Sequence, residues 1–134
     1  MANEMTDRIR AAVEKYPRKM TLQLARDLGV PEVEVIRAFP ADRVMELDIT
    51  RWQELLQSFE AFGSVRVLVS NGATTIEAVF VVEKPGHMNG TATRSFQFFD
   101  QTGAAAFKVF LNFGGPIPPE REALLTELRS RFKR

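Results

Sequence analysis

The sequence predicts an α+β domain: N-terminal helices, then an antiparallel β-meander, then a C-terminal covering helix. Two observations carry this. Apolar residues recur at helical spacing from Met5 to Phe59 and then alternate every second residue from Ser64 to Leu111. Turn-forming residues punctuate the alternating part, and helical spacing returns only after Pro119.

Each element has its own signal. Met5 to Tyr16 places Ile9, Ala12 and Val13 on one helical face, and Pro17 stops it. Thr21 is the expected cap of a second helix with Leu24, Ala25 and Leu28, ended by Gly29. Pro31 opens a third, carrying Val33, Val35, Ile36 and Phe39, and Pro40 closes it. A fourth starts near Asp48, an expected cap, and runs through Trp52, Leu55, Leu56 and Phe59 to Gly63.

The period then becomes two. Ser64–Ser70 puts Val65, Val67 and Val69 on one face, and Asn71-Gly72 signals a tight turn. Ala73–Lys84 follows, with Ile76, Ala78, Phe80 and Val82 expected on one face and Glu77, Val79, Val81 and Glu83 on the other. Pro85–Gly90 reads as a loop. Thr91–Phe99 is a strand with Phe96 and Phe98 on one face, and Asp100–Gly103 is a hairpin turn. Ala104–Leu111 returns, with Ala105, Phe107, Val109 and Leu111 expected on one face. Pro119 opens the last helix, whose Leu124, Leu125, Leu128 and Phe132 form a stripe, with acids early and bases late. One domain of 134 residues results, with residues 1–40 as a helical lobe and 41–134 as the sheet layer with flanking helices.

Composition narrows the function classes. There is no cysteine, which removes disulfides, thiolate metal sites and cysteine nucleophiles. The net charge is +1, and Met1–Leu47 holds eight basic against eight acidic residues, so no basic tract for nucleic acid stands out. The charged start MANEMTDRIR and the lack of a long apolar run predict a cytoplasmic protein without a membrane span. One histidine, no Gly-rich phosphate loop and no carboxylate–histidine metal spacing predict a protein that is not an enzyme.

Three stretches resemble a known family: Thr21–Pro40 (TLQLARDLGVPEVEVIRAFP), Trp52–Gly72 (WQELLQSFEAFGSVRVLVSNG) and Phe80–Asn112 (FVVEKPGHMNGTATRSFQFFDQTGAAAFKVFLN). Together they are similar to the ChuX/HutX-type intracellular heme-utilisation carriers over about three-quarters of the chain, most specifically at FFDQTGAAAFKVFLN. The resemblance implies a heme-utilisation-carrier-like fold, heme as the ligand and a homodimer. Family members are longer, and their histidine ligands lie at the end of the Val-rich strand and in a segment this chain lacks. Ser70 stands at the first of these positions, so no ligand residue carries over.

Candidate residues remain. His87, in PGHMNG, can ligate heme iron through a neutral imidazole, with Met88 lining the pocket beside it; the other reading is an exposed turn histidine. Tyr16 offers a phenolate or simply packs at a helix end. Lys84, Arg94 and Lys108 are strand cations able to meet heme propionates, Arg94 foremost, or to pair with Glu77 or Glu83. Phe96-x-Phe98-Phe99 puts rings on both faces of one strand; with one layer of helices available, a second subunit is the expected cover. An alternative function is DNA binding, because LARDLGVPEVEVIRAF has helix-turn-helix spacing. Glu32 and Glu34 at the start of its recognition helix oppose that.

Overall fold

A computed structural model describes residues 4–62, 66–69, 75–85, 92–112 and 115–134. Three helices come first: α1 (Glu4–Lys15), α2 (Thr21–Leu28) and α3 (Glu32–Arg37). Strand β1 (Val44–Glu46) leads through a 3₁₀ turn to α4 (Trp52–Phe62). Strands β2 (Arg66–Val69), β3 (Ile76–Lys84), β4 (Thr93–Asp100) and β5 (Ala105–Phe110) precede α5 (Pro119–Arg131). The α+β class and the order of helices, sheet and covering helix are as predicted.

The sheet has five antiparallel strands in the order β1-β3-β4-β5-β2. Consecutive β3, β4 and β5 form a meander. The Val-rich strand β2 is not their first member: it crosses to the far edge and pairs with β5, Val67 opposite Val109. The Asn71-Gly72 turn lies outside the described residues. Strand β1 went unread because three residues are too few to show a period. It occupies the other edge beside β3, with Met45 opposite Val81.

Two bulges change which face some residues reach. At Glu77 the β3–β4 register shifts, so Ile76 joins the core of Val79 and Val81 rather than that of Ala78 and Phe80. Between Ala105 and Phe107 the β4–β5 register skips Ala106. Ala105 therefore packs with Phe99 on one face, while Ala106 and Val109 pack on the other.

Both faces of the sheet are covered by this chain's own helices. On one face α1–α3 bring Ile9, Val13, Leu24, Val35 and Ile36 against Ala78, Phe80, Val82 and Phe99. On the other, α4 and α5 bring Leu55, Phe59, Leu125 and Leu128 against Val79, Phe96, Phe98 and Val109. Phe59 meets Phe96 edge-on at 4.8 Å, and Trp52 lies between Phe98 and Phe107. The expectation that a second subunit covers the second Phe face is thereby corrected: helices from the two ends of the chain segregate to opposite faces.

The caps follow the sequence with one exception. Gly29 ends α2 at φ 70, and Pro119 opens α5. Asp48 caps the 3₁₀ turn, its Oδ1 accepting from the Thr50 N–H at 3.0 Å. Thr21 does not cap α2; its hydroxyl donates instead to Glu32 at 2.6 Å.

Candidate functional site

The three residues expected to form one site fare differently. His87 and Met88 lie outside the described residues, as does Ser70. Arg94 sits on β4 directly opposite Glu83 of β3, and the two form an ion pair at 3.2 Å. This is the cross-strand partnership the spacing allowed. It faces the α5 side, because Arg94 shares strand parity with Phe96 and Phe98. Tyr16 is exposed at the end of α1, beneath Lys15 and Lys19.

The opposite, α1–α3 face carries two of the strand cations singled out in the sequence, Lys84 and Lys108, together with Ser95 and Gln97, which were not. Lys84, Ser95, Gln97 and Lys108 share it with Phe80 and Val82, since Lys84 pairs with Thr93, Val82 with Ser95, and Gln97 with Phe80 and Lys108. Ser95 and Gln97 are 2% and 5% exposed. Gln97 Nε2 donates to Ser95 Oγ at 3.1 Å, while Gln97 Oε1 is buried without a hydrogen-bond partner. A buried amide oxygen left unpaired costs about 1–3 kcal/mol, so it marks a place where a partner belongs.

Lys108 closes this cluster toward the helices. Its Nζ donates to Glu32 Oε2 at 2.7 Å, and Glu32, 4% exposed, also accepts from Thr21. Lys84 Nζ donates to the Arg18 carbonyl at 2.9 Å. Burial holds the Lys84 ammonium below the ordinary lysine range, and the positive charges of Arg18 and Lys108 push it the same way. The result is a partly dehydrated polar strip on one sheet face, in which Lys108 is neutralised by Glu32 and Lys84 has a carbonyl but, among the described residues, no carboxylate as its partner.

The start of β4 is anchored. Asn112 Oδ1 accepts from the Arg94 N–H at 2.9 Å, and its Nδ2 donates to Ala92 O at 2.8 Å and Gly115 O at 2.9 Å. Asn112 is 4% exposed and pins the start of β4 to the end of β5. Sequence alternation alone could have flagged Ser95 and Gln97. They occupy the inward positions opposite Phe96 and Phe98, but read as solvated until that face is known to be covered.

The helix-turn-helix expectation is corrected by burial. The would-be recognition helix, α3, packs Glu32, Val33, Val35 and Ile36 into the fold. Its Glu34 and Arg37 are exposed and paired with each other at 3.4 Å. A groove-reading helix must present its side chains outward. Among the described residues, no group of three or more metal-ligating side chains converges, and no helix is long and apolar enough to cross a membrane.

The family model for haem utilisation ChuX/HutX matches residues 73–123, the segment that holds β3, β4, β5 and the polar strip. Over these residues the chain is similar to the ChuX/HutX family. A solved protein from Erwinia carotovora matches this chain with a TM-score of 0.78 at 15% identity, covering 93% of this chain and 98% of that one. The heme-binding protein ChuX matches with 0.71 at 15% identity, over 92% and 97%. The heme-degrading enzyme ChuS of Escherichia coli O157:H7 matches with 0.70 at 20% identity, over 96% of this chain but 46% of its own. At these identities the likeness is one of fold. No curated protein matches the chain by sequence.

Proposed function

We propose that this chain binds heme in the cytoplasm and holds or hands it over without changing it chemically, as a homodimer. The observation that carries this reading is the match of the haem-utilisation ChuX/HutX family model to residues 73–123. The family likeness supplies the ligand class, and the dimer rests on that likeness rather than on an uncovered Phe face.

Heme joins a flat apolar ring to two carboxylates, and of the strip's cations Lys84 suits one of them, while Lys108 is paired with the buried Glu32. Turning the Gln97 amide over lets Ser95 Oγ donate to Oε1 and frees Nε2 to donate to a carboxylate oxygen. Arg94 was the expected carboxylate partner, but it is engaged with Glu83 on the opposite face. In this reading a carboxylate goes to Lys84 instead. His87 is the proposed iron ligand and Met88 the pocket wall beside it. His87 follows Lys84 by three residues, a tether of about 10 Å. Iron, when bound, would supply affinity through a bond to the imidazole, and the chain's own groups would orient the ring.

Titration of purified protein with hemin tests this. A saturable Soret shift at micromolar protein is expected. His87→Ala should move the bound Soret maximum, and Lys84→Met should weaken binding without moving it. No saturable shift would leave the chain a structural relative of the carriers without their ligand. Light scattering reports the oligomeric state in the same samples.

A further inference from the structure

A basic site lies on the α5 side of the sheet. A groove of about 300 Å³ runs between the start of β1, the end of β3 and the last turn of α5. Its charged walls are Arg43, Arg94, Arg129, Asp42 and Glu83, and its floor includes Met45, Val81 and Leu125. Arg94 and Glu83 neutralise each other at 3.2 Å. Arg43 and Arg129 have no carboxylate partner among the described residues.

The backbone that carries these cations is fixed by the fold. The Glu83 N–H donates to the Arg43 carbonyl at 2.8 Å, which fixes Arg43 against β3. Arg129 stands one turn beyond the buried Leu125, on the same stripe of α5. Asp42 is exposed at the rim. Two unpaired guanidiniums against one unpaired carboxylate leave a single positive charge, so a singly charged anion balances the groove. Guanidinium forks match the planar carboxylate, and the apolar floor accepts a short hydrocarbon body. The volume is at the small end for ligand cavities.

The geometry points to a binding site for a small monocarboxylate, held by Arg43 and Arg129 and independent of heme. Amide chemical shifts followed by NMR during titration of hemin-free protein with benzoate test it, with neutral benzamide as the control. Saturable shifts confined to residues 41–45, 81–83, 94 and 125–129 are expected for benzoate and not for benzamide. Arg43→Ala and Arg129→Ala should each weaken binding about tenfold, and Arg43→Lys should weaken it less. Absence of saturable shifts at millimolar benzoate, equal shifts with benzamide, or unchanged affinity in both alanine variants would overturn the assignment. The readout contains no heme, so its outcome is separate from that of the hemin titration.

Discussion

Glu32 is a carboxylate with 4% of its surface exposed, held by the Thr21 hydroxyl and the Lys108 ammonium. One partner comes from α2 and the other from β5, so this single side chain joins the helical lobe to the sheet. Lys108→Met should strand a buried charge and cost about 3 kcal/mol, a little below the usual loss because the Lys108 side chain is 21% exposed. The double variant Glu32→Met with Lys108→Met should recover most of that stability. Urea denaturation of the four-member cycle measures both. In sequence, Glu32 reads as an acid on an exposed helix end, because nothing local says that α3 is laid onto a strand 76 residues later. Lys84 makes a pH prediction. Its folded value lies below the ordinary lysine value of 10.5, so between the two the unfolded chain binds more protons. Stability contributed by this group is therefore flat at neutral pH and rises with pH across that window. Lys84→Met should remove this rise relative to the unmodified chain in urea denaturation from neutral to alkaline pH.

The helices and strands were legible wherever a period runs long enough. The start of α5, the cap at Asp48 and the Gly29 stop all follow from local chemistry. The bulges were not legible, because the residues around each keep a regular strand pattern: Ile76 and Ala78 look like face-mates until Glu77 is looped out. The β4–β5 turn has a tertiary role that its Gly only hints at. Gly103 adopts φ 85, and its carbonyl accepts the Val33 N–H at 3.0 Å, so the turn docks the start of α3. A Cβ there would stand 2.5 Å from Pro31 Cβ. Gly29 has a similar φ of 70 but open space around it. Gly29→Ala should thus cost only the left-handed strain of about 1–2 kcal/mol. Gly103→Ala should cost more, by adding displacement of α3, and thermal or urea denaturation of the two variants separates the two effects.

At the scale of the whole molecule, sequence determined the class of fold and the order of its elements, because helical and strand periods and turn residues are local properties of the chain. Resemblance in Phe80–Asn112 also pointed to the heme-utilisation family, in the region that the ChuX/HutX model matches. Only the tertiary structure decided which strands are neighbours. Strand β2 crosses to β5 because pairing is settled by where helices and edges fit, not by adjacency along the chain. The same packing decided that both sheet faces are filled from within, that α3 is structural, and that Arg94 and Lys108 point to opposite sides. It also created the buried strip of Ser95 and Gln97, since a polar residue at a strand position records its face but not what covers it. Burial and charge pairing are properties of contacts between distant segments, and a sequence read in order does not contain those contacts explicitly.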